Sequence, residues 1–231
     1  MPAPAARRSF ITLSSAAVLA AVSGCSLLGR EEKSETPRGQ TTQVTVATDS
    51  ARMIVVYFSL PETDKTTGLS EEEENSVIVV DGKALGNTQY VAQLIAQDTG
   101  AQTARIETVE AYPLEHQQLI DKAQKEQDDK ARPQIQKLPD MSAYNTIFLG
   151  YPIWWSDIPM PLYTFLEQTD LKGKTIIPFS THGGSGLADT PQAIAGAAQG
   201  ATVSDHALSI SRDQMEGAPA AVTSWMSELG L

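Results

Sequence analysis

The residues best suited to chemistry in this chain fall in three stretches. The first is Gly150-Tyr151-Pro152-Ile153-Trp154-Trp155-Ser156-Asp157-Ile158-Pro159-Met160-Pro161. Two adjacent tryptophans and a tyrosine sit in a proline-stiffened turn, where flat aromatic side chains can stack on a flat ligand. The competing structural role puts one Trp in the core and leaves the other as a surface staple. The second stretch pairs Ser59 with Gly86-Asn87-Thr88. Hydroxyls and backbone N–H groups at a helix start make a neutral phosphate cradle, and glycine lets backbone approach closely. The bland alternative is that Asn87 or Thr88 only caps a helix. The third stretch is Ser180-Thr181-His182-Gly183-Gly184-Ser185-Gly186-Leu187. It offers many N–H donors and no bulky wall. No acid is obviously paired with His182, so it reads as a loop residue at a ligand edge and not as a catalytic base.

Several chemistries are disfavoured by missing patterns. There is no G-x-x-x-x-G-K-[ST] phosphate loop and no G-x-G-x-x-G dinucleotide fingerprint. The Gly183–Gly186 run does not match the G-x-S-x-G of a serine hydrolase. The formal net charge is −11. An acidic chain is poorly matched to nucleic acid, whose phosphates need Lys and Arg.

The elements that must position these loops follow from hydrophobic pattern. Met53-Ile54-Val55-Val56-Tyr57-Phe58 reads as a central strand ending at Ser59. A helix starts at Gly86-Asn87-Thr88, with Val91, Leu94 and Ile95 on one face. Weak strand character over Ala101 to Glu107 precedes a polar helix, Leu114 to Asp128. A third strand from Thr146 to Gly150 runs into the aromatic loop, and Pro161 to Gln168 is helical. Lys174 to Phe179 is a fourth strand and Pro191 to Gln199 an alanine-rich helix. Ala201 to Ile210 is a fifth strand, and Ser211 to Leu229 a last helix with Trp225 on its core face. Strands alternating with helices imply βαβ units and a mostly parallel sheet covered on both faces. All three chemical stretches then lie at the carboxyl ends of strands, where open α/β sheets bind ligands.

The ends carry a different message. Residues 1–24 contain Arg7-Arg8 followed by an uncharged run from Ser9 to Gly24, the pattern of an export signal. Arg7-Arg8-Ser9-Phe10-Ile11 is similar to the twin-arginine export motif, with a general-pathway signal as the alternative. Val22-Ser23-Gly24-Cys25 resembles the bacterial lipobox, in which the cysteine becomes the lipidated mature N-terminus. Cys25 is the chain's single cysteine, so an acyl acceptor explains it better than half of a disulfide. Residues 25–51 are polar, with Pro37 and Gly39, and read as a disordered tether. Residues 52–231 are the globular domain. The expected location is the cell envelope, with a membrane lipid anchor.

Val56-Tyr57-Phe58-Ser59 with Gly86-Asn87-Thr88, then Gly150 to Trp155, then Ser180 to Gly186, resembles the flavodoxin-like family over about residues 52–231. The resemblance implies a doubly wound three-layer α/β sandwich with a five-stranded parallel sheet of order 2-1-3-4-5. It implies FMN as cofactor. The phosphate would sit on Ser59, Gly86, Asn87 and Thr88. The ring would lie between Tyr151, Pro152, Ile153, Trp154 and Trp155 and the Ser180, Thr181, His182, Gly183, Gly184, Ser185, Gly186 loop. One departure is the insert at about residues 60–85, which separates Ser59 from Gly86 and contains Glu71–Glu74. It is either a hairpin folded over the ligand or a surface excursion, and its acid run reads as a solvated face.

Three functions are compatible with this reading. A low-potential one-electron FMN carrier is favoured by the acidic domain and the absence of Lys and Arg from the three loops. An FMN-dependent NAD(P)H reductase of quinones or other small acceptors is the alternative. A binding lipoprotein that has lost the cofactor is the third. The partner is a redox protein or a small acceptor.

Overall fold

The computed structural model describes Thr41, Thr42, Asp49 and residues 52–231, all within the compact unit Pro37–Leu231. The expected export signal, Cys25 and most of the expected tether lie outside the described residues. Thr41–Thr42 depart from the disorder expected of the tether: they form a short strand, β1, on the sheet edge.

The sheet is built on β2, Met53–Tyr57, in which every residue is buried. Its side chains alternate between two cores, as a strand requires. Ile54 and Val56 join Ile147, Leu149, Leu162, Phe165 and Ile194 on one face. Met53, Val55 and Tyr57 join Phe148, Ile177, Val91, Ile95 and Val222 on the other. A strand buried on both faces must be apolar throughout, which is why this run lacks polar alternation.

The remaining main strands are β5 (Gln102–Arg105), β6 (Thr146–Pro152), β7 (Thr175–His182), β8 (Thr202–Ser204) and β9 (Leu208–Ser211). All pairings in this sheet are parallel. The order is β1-β8-β7-β6-β2-β5, with β9 also on β7. With the five expected strands numbered in turn, this is the order 2-1-3-4-5. The strand count differs, because the fifth strand is split and β1 is added at the edge. β8 follows the start of β7 and β9 follows its end, so Ile177 and Pro178 face the four residues from Ser204 to Ala207. Pro178 has no N–H to donate, and the ladder breaks beside it. The Trp225 indole N–H donates to the carbonyl of His206 at 2.9 Å, satisfying the excursion from the core side.

Among the described residues there are six helices, α1 (Glu71–Ser76), α2 (Asn87–Thr99), α3 (His116–Asp128), α4 (Met160–Gln168), α5 (Thr190–Ala197) and α6 (Ala218–Glu228), of which α2 to α6 flank the sheet. α3, α4 and α5 supply one core and α2 and α6 the other. The last helix is shorter than expected, since residues 212–217 form a 3₁₀ turn.

The insert contains α1 and an antiparallel hairpin of β3 (Val77–Val80) and β4 (Lys83–Gly86). Ser70 and Glu73 form a reciprocal capping box at the start of α1. Lys65 and the Ser70 backbone hold the Glu73 carboxyl down to about 2. None of the residues of α1 is buried, as a solvated acid face requires.

Candidate functional site

Pairing carries β6 and β7 together as far as Pro152 beside Thr181, and β9 continues alongside to Ser211 beside His182. The chain therefore leaves several strands at one edge of the sheet. A cavity of about 250 Å³ opens there between the loops.

One side of the cavity is aromatic and apolar. Trp154 makes T-shaped contacts with Phe58 (centroids 5.3 Å, 89°) and Tyr112 (5.5 Å, 76°), so part of its ring packs on the core. Trp155 and Ser156 turn the chain back, with paired bonds between Trp154 and Asp157 at 3.0 and 2.9 Å. Both turn residues have positive φ, +49° and +62°. This is the geometry of a two-residue turn that ordinarily uses Asn-Gly. The strained Trp155 is tied down from outside: its indole N–H donates to the carbonyl of Ile120 at 3.1 Å. Its own carbonyl accepts from Gln127 at 3.2 Å. It remains 47 % exposed. Asp157 closes the loop by accepting from the Ile158 N–H and the Tyr163 hydroxyl. Leu119, Ile120 and Ala123 of α3 complete this wall.

The other side is polar. α2 begins after Gly86, which has no side chain to cap it; neither Asn87 nor Thr88 is the cap. Ser59 substitutes from another strand end, its Oγ accepting from the Gln89 N–H at 3.3 Å. A methyl group on Gly86 would come within 2.2 Å of that oxygen, so the close approach needs glycine. Thr88 and Thr181 share a buried 2.7 Å hydrogen bond, which locks the start of α2 to the end of β7. Asn87 donates to the Asn75 carbonyl at 3.0 Å, while its buried Oδ1 has no partner among the described residues. Arg212 lies against Gly183, where an added methyl would sit 3.1 Å from the guanidinium.

Two histidines line the cavity. His182 accepts the Gly184 N–H at Nδ1, and burial pushes its pKa down, against the opposing pull of Asp213. His116, at the start of α3, bonds Glu62 of the insert at 2.9 Å through Nδ1.

Of the residues singled out in sequence, Ser59, Asn87, Thr88, Pro152, Ile153, Trp154, Trp155, Thr181, His182 and Gly183 share this cavity. Tyr151 does not: it is fully buried and bonds Thr190 at 2.9 Å. β6 runs two residues further than expected, and alternation turns Tyr151 into the core. Ser180 is likewise buried. Gly86 stands behind the wall as the close-contact residue, and Gly184, Ser185 and Gly186 lie outside the lining.

Sequence reasoning missed Leu60, Glu62, Asn75 and Ser76 from the insert, His116 from α3, and Arg212. Arg212 was within reach, because it directly follows a parallel strand that ends at the same edge as the others. Glu62 and His116 are far apart in sequence and carry no local signal.

Comparison with known proteins agrees with this architecture. The structure of a flavoprotein from Bacteroides eggerthii superposes with a TM-score of 0.57 and 24% identity, covering 78% of this chain and 98% of that one. A flavoprotein from Bacteroides uniformis gives 0.56 and 25%, covering 77% and 99%. A Lactobacillus acidophilus flavoprotein, solved in complex with FMN, gives 0.51 and 18%, covering 76% and 99%. No curated protein matches the chain. The flavodoxin family model matches residues 76–226, more than half of the sequence, and the chain belongs to the flavodoxin family.

Proposed function

We propose that this protein binds FMN in the cavity at the carboxyl edge of the sheet and transfers electrons through it. The observation that carries the reading is the cavity's two-sided chemistry: an aromatic and apolar wall at one side, hydroxyls, a helix start and an arginine at the other. That matches a flat ring joined to an anionic tail. The start of α2 favours an anion through its unpaired N–H groups and dipole. Thr88, Ser59 and Arg212 would hold the phosphate. The orphaned Oδ1 of Asn87 is an acceptor, so it suits a ribityl hydroxyl and not a bare phosphate oxygen. The loop of Ile153, Trp154 and Trp155 would face the ring, with Thr181, His182 and Gly183 beyond it. Enclosed ligand sites usually measure about 300–1,000 Å³, so at about 250 Å³ this one would leave an edge of the ligand in solvent. When bound, FMN supplies one- and two-electron redox chemistry.

The protein then serves as a carrier of single electrons at low potential, supported by the acidity of the chain. Negative surroundings disfavour an anionic reduced cofactor. Arg212 opposes this, and the sequence argument from three cation-free loops overstated the effect. A redox titration of the FMN-loaded protein tests the carrier: two separate one-electron steps support it, and a single two-electron step contradicts it. A second reading, an NAD(P)H-dependent reductase of small acceptors, is favoured by the His116–Glu62 pair in the cavity wall. Steady NADPH turnover with a quinone would decide for it.

The proposed setting is the bacterial cell envelope, with Cys25 acylated and residues 25–51 as the tether. The sequence pattern supports this. Labelled palmitate should enter the expressed protein and fail to enter Cys25→Ser; equal labelling would refute the anchor.

A further inference from the structure

The aromatic wall of the cavity continues into the fold. Trp154 borders the cavity, and its ring meets that of Tyr112 with centroids 5.5 Å apart. Phe58 packs on both rings, and Phe58 and Tyr112 are buried. The Tyr112 hydroxyl donates to the Glu126 carboxylate at 2.5 Å, within the range of a charge-assisted O–H···O⁻ bond. Burial, with Glu126 beside it, pushes the Tyr112 pKa up, so the phenol holds its proton. Burial also pushes the Glu126 pKa up, against the pull of Tyr112 and Lys122. The Lys122 ammonium lies over the Tyr112 ring, 4.8 Å from its centroid. Tyr112, Lys122 and Glu126 line a second cavity, of about 440 Å³. A bond that only clamped the loop carrying Tyr112 to α3 would need no aromatic contact with the wall of the first cavity.

We propose that Trp154, Tyr112 and Glu126 form a relay that drains a one-electron oxidant from the first cavity, Tyr112 giving its electron through Trp154 and its proton to Glu126. This goes beyond the FMN reading, which supplies one such oxidant, a photoexcited flavin. The oxidant takes an electron from the Trp154 indole, and the indole cation radical takes one from Tyr112. The phenolic proton crosses the hydrogen bond to Glu126. The products are the oxidant reduced by one electron, neutral Trp154, a neutral tyrosyl radical and a protonated Glu126. The Lys122 charge disfavours a cation on the ring beneath it, so electron and proton leave Tyr112 together. Tyr112 is only 6 % exposed, which makes Glu126 the proton acceptor in place of bulk water. A one-electron reductant in the second cavity, such as ascorbate, returns the electron, and Glu126 returns the proton. Indoles and phenols yield electrons only to strong oxidants, so the low-potential electrons of the proposed carrier do not use this path.

The test uses the full-length chain in two forms. Without FMN, azide radicals made by pulse radiolysis oxidise tryptophan, and absorbance follows the tryptophanyl radical as it gives way to a tyrosyl radical. With FMN bound, a laser flash supplies the oxidant. In both forms the tyrosyl radical should appear in the wild type, more slowly in heavy water, and be lost in Tyr112→Phe and in Trp154→Phe. Glu126→Gln keeps an oxygen that accepts from the hydroxyl but takes up no proton. A clamp would survive that change, whereas the tyrosyl radical should be lost. A tyrosyl radical that persists in Tyr112→Phe, or forms at the wild-type rate in Glu126→Gln, would overturn the relay. A chain that takes up no FMN overturns the cofactor reading alone, and the azide experiment then decides this one.

Discussion

Trp155 and Ser156 show how a residue can be legible as important and yet illegible in its geometry. Two adjacent tryptophans in a Pro-rich turn announce a recognition loop, and the structure puts both on the cavity. The positive φ values of Trp155 and Ser156 leave no trace in the sequence, because Trp-Ser is a poor choice for such a turn. A left-handed conformation costs about 1–2 kcal/mol at an ordinary residue. Ser156→Gly should therefore stabilise the fold by about 1 kcal/mol, measured by urea unfolding; a loss of stability would contradict the strain. Gly150 shows the reverse case. It lies beside Phe179 in register, and a methyl added there would come within 2.1 Å of the ring. Gly150→Ala should cost about 1–3 kcal/mol through this overpacking, and an unchanged midpoint would mean that the ring moves freely. Tyr151 was misassigned from sequence because two further residues of strand decide which way it points.

At the scale of elements, the strands were plain where apolar runs are buried on both faces, as in β2 and β6. The fifth strand was seen as one piece, since its break depends on Pro178 in a neighbouring strand. The insert was visible as a departure, but its role was not, because its cavity residues are scattered and meet distant partners. The start of α2 combines these effects. Sequence pointed to Asn87 or Thr88 as the cap, yet Ser59 performs that task across the gap left by Gly86. Ser59→Ala should cost about 1 kcal/mol, the usual value of a lost cap. If thermal or urea unfolding shows no loss, Ser59 has no capping role.

The whole molecule adds charge and pH. Burial lowers the pKa of His182, and protonation would also break its bond from the Gly184 N–H. The unfolded chain takes up this proton more readily than the folded one. The contribution is thus complete above the ordinary histidine value of about 6.5 and is lost as pH falls through the lower folded value. Urea unfolding at about pH 7.5 and about pH 5.5 should show a smaller acid loss for His182→Gln than for the wild type. An equal loss in both would remove His182 as a source.

The direct test of the account is a titration of FMN with the purified full-length protein, followed by gel filtration and an absorbance spectrum. The fluorescence of FMN should be quenched, the protein should emerge yellow, and Trp155→Ala should bind roughly tenfold more weakly, about 1.4 kcal/mol. A protein that emerges colourless, with the fluorescence of FMN unchanged, would contradict the assignment of this cavity to the cofactor.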